Sequence, residues 1–144
     1  MNTQPVDFYA KQKAVIEPLA HCRCLNIQVV AASKGRLTLR LPYSKNIIGD
    51  PNTMVIHGGA ITALMDTACG FAGISALDGF SIAPTMDLKI DYLNMAIPNK
   101  ALIAEASVYC VKKSIIFTEA VAFHEDNPKH LIARCSANFV RLTL

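Results

Sequence analysis

Residues 57–77 read HGGAITALMDTACGFAGISAL, and the fold turns on them. At 100° per residue, Ile61, Leu64, Met65, Ala68, Phe71 and Ala72 gather on one side. That predicts a helix from Ala60 to Leu77, roughly 27 Å long, with this side buried in a sheet. The other side carries Gly59, Thr62, Asp66, Gly70 and Gly73, and Asp66 is the only charge between His57 and Leu77. An ordinary surface helix would place Lys, Glu and Arg there. Glycine inside a helix costs about 1 kcal/mol relative to Ala, so two glycines in line with an acid predict that another backbone, a partner subunit or a ligand comes close. A membrane span fits poorly, because the segment is short and holds a carboxylate at its centre among Thr, Gly and Ser.

His57-Gly58-Gly59 stands where this helix begins. The first N–H groups of a helix have no internal partner and carry the positive end of its dipole. Glycine lets a substrate carbonyl approach them, so the three residues read as a cradle for developing negative charge. Asp66 lies nine residues after His57, roughly 13 Å further along the helix. One chain then has difficulty bringing both groups to one substrate atom, whereas two antiparallel copies of the helix would place Asp66 of one beside Gly58 of the other. An acid on an otherwise uncharged helix face is a candidate general base. The alternative for Asp66 is a structural carboxylate satisfied by Thr62 or the backbone, and for His57 a capping or core histidine.

Working outward, residues from Pro5 to Glu17 read as a helix that Thr3 caps and Pro18 stops. Cys24 to Ala32 and Arg36 to Leu41 read as strands joined by a turn at Ser33-Lys34-Gly35. Pro42 to Thr53 is dense in turn residues and reads as a loop. After the long helix come strands near Ile82 to Leu93, Ala101 to Val111, Ile115 to His124 and Leu131 to Leu142, whose short connections suggest an antiparallel meander. Within the first of these, Thr85, Asp87, Lys89 and Asp91 alternate with Met86, Leu88, Ile90 and Tyr92, the pattern of a half-solvated strand. The fold class is α+β, in one domain spanning 1–144.

Composition narrows the function classes. The chain has 144 residues, 52% hydrophobic and 17% charged, with net charge +3, as expected of one packed domain. Its longest basic run is Lys112-Lys113, too little for a nucleic-acid footprint. The first twenty residues lack the apolar core of a secretory signal, and the five cysteines are an odd number with no C-x-x-C spacing; together they predict a cytoplasmic protein with reduced thiols. His21, Cys22 and Cys24 lack the spacing of a zinc site, so no metal is expected.

His57-Gly58-Gly59, six further residues, Asp66 and then Gly70, preceded by Gly49-Asp50-Pro51 and followed by Thr85-Met86-Asp87-Leu88-Lys89-Ile90-Asp91-Tyr92-Leu93, resemble the hotdog-fold acyl-CoA thioesterases of the phenylacetate-degradation (PaaI-like) type. The resemblance implies a curved antiparallel sheet wrapped round one long helix, in dimers often paired into tetramers, with no cofactor beyond the coenzyme A of the substrate. It implies that the Gly58 N–H, helped by His57 and with Gly59 beside it, polarises the thioester carbonyl. Asp66 of the other subunit would activate water or attack directly, and Thr85 would orient the water. The family often has a polar side chain in the loop before His-Gly-Gly; Asn46, Asp50 and Asn52 are available, and Asn52 is taken as the substrate contact. The competing functions are a hotdog dehydratase or hydratase, which would want a histidine set among prolines, and a non-catalytic acyl-CoA binding module, which could dispense with the acid.

Overall fold

The computed structural model describes residues 6–79 and 81–143. Among the described residues, three α-helices, α1 (Phe8–Ile16), α2 (Ala20–Leu25) and α3 (Gly58–Ser75), and a short 3-10 turn at Lys45–Ile47 accompany eight strands. These are β1 (Gln28–Ser33), β2 (Arg36–Leu41), β3 (Ser81–Ile82), β4 (Thr85–Tyr92), β5 (Leu102–Val111), β6 (Ile115–His124), β7 (Asn127–Val140) and β8 (Leu142–Thr143). Six of them form one antiparallel sheet in the order β1-β2-β5-β6-β7-β4, and β3 pairs with β8 apart from it. Helix α3 lies against β2, β5, β6 and β7, with Leu64, Met65, Ala68, Cys69 and Ala72 fully buried. The α+β class and the sheet wrapped on one long helix are therefore present.

Several expectations change. Helix α1 is capped by Asp7, whose carboxylate accepts from the Ala10 N–H at 3.0 Å; Thr3 and Pro5 lie outside the described residues. Cys24 and Leu25 end a short helix rather than begin a strand. Asn26 adopts a left-handed conformation at φ 54° and closes that helix, with the Ile27 N–H returning to Cys22 O at 2.9 Å. The strand expected over Ile82 to Leu93 breaks at Ala83-Pro84, since proline has no N–H to give a ladder. Only β5-β6-β7 are a meander, because β4 crosses to the far side of β7. Strand β7 starts already at Asn127, which pairs with His124, so the turn is shorter than its composition suggested.

The glycines of α3 are the larger correction. A Cβ on Gly70 would sit 3.1 Å from the Phe139 ring, and one on Gly73 3.4 Å from Ile116. Both residues are buried against the chain's own sheet. They let α3 settle on β6 and β7, and they are no sign of an external partner. What stays half-buried on α3 is Gly58, Thr62, Ala63, Asp66, Thr67, Phe71 and Ile74, a face that still has no charge but Asp66; Phe71, expected inside the core, packs against its edge. No helix of the described residues is long and apolar enough to cross a membrane.

Candidate active site

The segment leading into α3 folds back on itself. Ile48 and Ile56 form an antiparallel bridge, the Gly49 N–H donates to Val55 O at 2.8 Å, and the His57 N–H donates to Ile47 O at 2.7 Å. Gly49 is required here: a Cβ would lie 2.9 Å from His57 Cα. At the tip the Asp50 carboxylate accepts from the Asn52 N–H at 2.9 Å and the Thr53 hydroxyl at 2.7 Å. These bonds, the Asn52 N–H first, hold it below the ordinary carboxylate range. Met54 takes a positive φ of 60°. Its N–H donates to Asp50 O and its carbonyl accepts from the Tyr43 hydroxyl at 2.7 Å. The approach to the helix is thus a braced loop that fixes where His57 stands.

His57 is the N-cap of α3, and its Nδ1 accepts from the Gly59 N–H at 2.8 Å. An imidazole that accepts at Nδ1 carries its proton on Nε2, which leaves a donor facing outward. The Ala60 N–H donates to His57 O at 3.0 Å. Of the first three N–H groups of the helix, only that of Gly58 has no partner among the described residues. The cradle therefore reduces to one backbone donor. Gly59 supports it by fixing the histidine and does not offer its own N–H to a substrate.

Asp66 accepts a hydrogen bond from the Thr85 hydroxyl on Oδ1 at 2.9 Å. The reason Thr85 faces the helix is a bulge. Thr85 opposes Phe139 and Asp87 opposes Asn138, so Met86 is an extra residue. A one-residue insertion reverses which face a side chain takes. Thr85 shares the inner face of the buried Phe139, while Asp87 stays outside and accepts from the Asn138 amide at 2.9 and 3.0 Å. Simple alternation had put Thr85 on the polar face with Asp87. Beneath Asp66, the buried thiols of Cys69 and Cys135 lie 3.7 Å apart; their hydrogen bond and burial push the Cys69 thiol up. All five cysteines are free.

At the other end of β4, Tyr92 leans over the start of α3. Its hydroxyl donates to Gly58 O at 3.1 Å and lies 2.6 Å from the Thr62 hydroxyl, itself 3.1 Å from the same carbonyl. Tyr92 and Gly58 border a groove of about 340 Å³ whose apolar walls include Val55, Ile61, Leu93 and Met95. Neither Tyr92, Thr62 nor Gly49 was singled out from sequence as part of the site. Tyr92 sits on the apolar side of an alternating strand, where nothing marks it as more than a wall residue. Asn52 lies exposed on the loop tip and does not line this groove.

The chain thus gathers His57, Gly58, Gly59, Thr62 and Tyr92 at one place, and Asp66 with Thr85 at another. The eight residues from Gly58 to Asp66 put about 12 Å of helix between them.

A family model described as the thioesterase superfamily matches residues 54–129, which include both places. A solved Pseudomonas aeruginosa protein is similar at 43% identity, with a TM-score of 0.83 over 94% of this chain and 99% of that one. The Escherichia coli PaaI protein from the phenylacetic acid degradation operon shares the fold, at 20% identity and a TM-score of 0.79 over 94% of each chain. A candidate esterase of Halobacterium salinarum is 38% identical over 94 residues, 63% of this chain. The chain spans only 61% of that relative's length. The match across the central helix and the strands around it, borne on a sheet that superposes on solved relatives nearly end to end, makes this chain a hotdog-fold member of the thioesterase superfamily.

Proposed function

We propose that the protein hydrolyses the thioester bond of acyl-coenzyme A to a free acid and coenzyme A. The observation that carries this is the Gly58 N–H at the start of α3, which has no partner among the described residues and is an oriented donor for the oxygen of a carbonyl that becomes tetrahedral. The helix dipole adds to it, and His57 Nε2–H is placed to help. Asp66 supplies the second function. With one oxygen held by Thr85, its other oxygen is left to take a proton from water or to attack the carbonyl carbon. The tetrahedral intermediate then collapses, the C–S bond breaks and the thiolate leaves; where Asp66 attacks, water then hydrolyses the acyl–Asp66 anhydride to the free acid and restores the carboxylate.

Because about 12 Å separates the two groups in one chain, the reaction calls for two copies, Gly58 of one facing Asp66 of the other. A homodimer is the minimum unit, and pairing of dimers into a tetramer accords with the family resemblance. Backbone, side chains and water supply this chemistry, and coenzyme A enters only as substrate. The five free thiols suit the reducing cytoplasm, where we place the reaction.

Mixing two inactive variants tests the arrangement. Asp66→Asn removes the acid. Gly58→Pro deletes the N–H at a first-turn position that accepts proline, and His57 at φ −64° and ψ 134° already has the backbone that precedes one. In a mixed dimer one site regains both an intact Gly58 and an intact Asp66. Thiol release from an acyl-CoA panel should return on refolding the two together. Absence of rescue would count against a shared site, and no release by the wild type would remove the hydrolase reading.

A further inference from the structure

We infer that Tyr92 is a specificity-determining residue whose phenol oxygen accepts a hydrogen bond from the amide N–H nearest the sulfur in the pantetheine arm; this rests on the acyl-CoA reading above. Proton counting carries the argument. Tyr92, Thr62 and the Gly58 carbonyl form a closed triangle with edges of 2.6, 3.1 and 3.1 Å. Two hydroxyls bring two protons. The shortest edge, between the hydroxyls, uses one, and the Gly58 carbonyl takes the other. Whichever hydroxyl donates along the short edge, no proton remains for a ligand, yet the phenol oxygen keeps a lone pair. Tyr92 is 52% exposed, so that lone pair is within reach of a ligand in the groove.

The edge of the groove at Gly58 therefore offers the Gly58 N–H as a donor and the Tyr92 oxygen as an acceptor, while Asn94, further along the lining, gives its amide N–H to Leu131 O. The phenol oxygen lies 3.5 Å from where a Gly58 Cβ would be, so the two are close neighbours. A hydrocarbon acyl group has no N–H to meet the acceptor. The leaving-group side of an acyl-CoA does: its first amide follows the thioester carbonyl after only the sulfur and a two-carbon spacer. With the carbonyl on Gly58, that amide falls beside Tyr92, and the apolar walls at Leu93 and Met95 take the methylene stretches.

The test compares thioesters of N-acetylcysteamine with those of 2-mercaptoethyl acetate, which replaces the amide N–H by an ester oxygen. The wild type should prefer the amide by roughly three- to tenfold in kcat/KM, expressed in KM, and Tyr92→Phe should erase the preference with kcat retained. Thr62→Val should keep it, because the phenol proton still goes to Gly58 O and the oxygen still accepts. No amide preference in the wild type, or equal loss in both variants, overturns the assignment. Calorimetric binding of the two corresponding S-propyl thioethers repeats the comparison without turnover. Tyr92-dependent preference for the amide thioether in a protein that hydrolyses no thioester would retain the contact while rejecting the hydrolase, and its absence would reject the contact.

Discussion

On the proposed mechanism, the two ends of β4 hold two halves of one chemistry by different means. At Tyr92 the proposed working group is a backbone N–H, and the polar groups around it are spent on one another: the Gly59 N–H on His57 Nδ1, and the Tyr92 and Thr62 hydroxyls on each other and on the Gly58 carbonyl. At Thr85 the working group is a carboxylate, aimed by a single hydroxyl that a bulge turned inward. A backbone donor is positioned by the fold itself and survives most side-chain changes, whereas a carboxylate depends on the few atoms that touch it. The first half should fail only when its backbone is displaced or its proton deleted, and the second when one functional group is removed.

The sharpest way to break the comparison is at the working groups. Asp66→Asn should cut thiol release by about 10²- to 10⁴-fold with acyl-CoA binding kept, the span expected for loss of a general base. Gly58→Pro should cost about 10²- to 10³-fold in kcat with an unchanged thermal midpoint. If it costs nothing, the backbone half of the site is not where the carbonyl binds.

One step down, Thr85→Ala should lower kcat by about tenfold, whereas deletion of Met86 should cost less, because regular pairing still sets Thr85 opposite Phe139 on the inner face. Parallel kinetics on both variants separates loss of the hydroxyl from loss of the bulge. Gly49→Ala probes the opposite half. Its Cβ would meet the His57 backbone at 2.9 Å, so about 1–3 kcal/mol of stability should go, measured by urea denaturation, with activity falling as the loop shifts.

The smallest effect concerns pH. Asp50 is held below its ordinary value by the Asn52 N–H and then the Thr53 hydroxyl. A carboxylate whose folded value is depressed contributes stability above its unfolded value of 3.8, and that contribution is lost as pH falls through the lower folded value. Urea midpoints of the wild type and Asp50→Asn should converge across that window and differ slightly above it. A constant difference at every pH would show that the carboxylate charge does not matter to the loop.

How much of this was legible depends on how local each cause is. Ile61, Leu64, Met65, Ala68 and Ala72 announced the buried side of α3 because helical period alone decides which residues share a face. Gly70 and Gly73 misled for the same reason: small residues in line say that something approaches, and only the packed sheet shows that it is Phe139 and Ile116. Thr85 was chosen through family resemblance, against its own alternation. The inserted Met86 that vindicates its orientation is invisible until β4 is paired with β7. Tyr92 carried no local signal, since its partners Gly58 and Thr62 lie some thirty residues away.

Read alone, the 144 residues determined the α+β class, the central helix and its His-Gly-Gly start, because apolar period, turn chemistry and unpaired helix-end amides are properties of neighbouring positions. Tertiary structure alone decided that β4 lies outside β7, that Gly58, of the first three helix amides, keeps an N–H without a partner among the described residues, and that Tyr92 closes over it. Those depend on strand register and on which hydroxyl finds which carbonyl, and neither exists until distant segments are packed against each other.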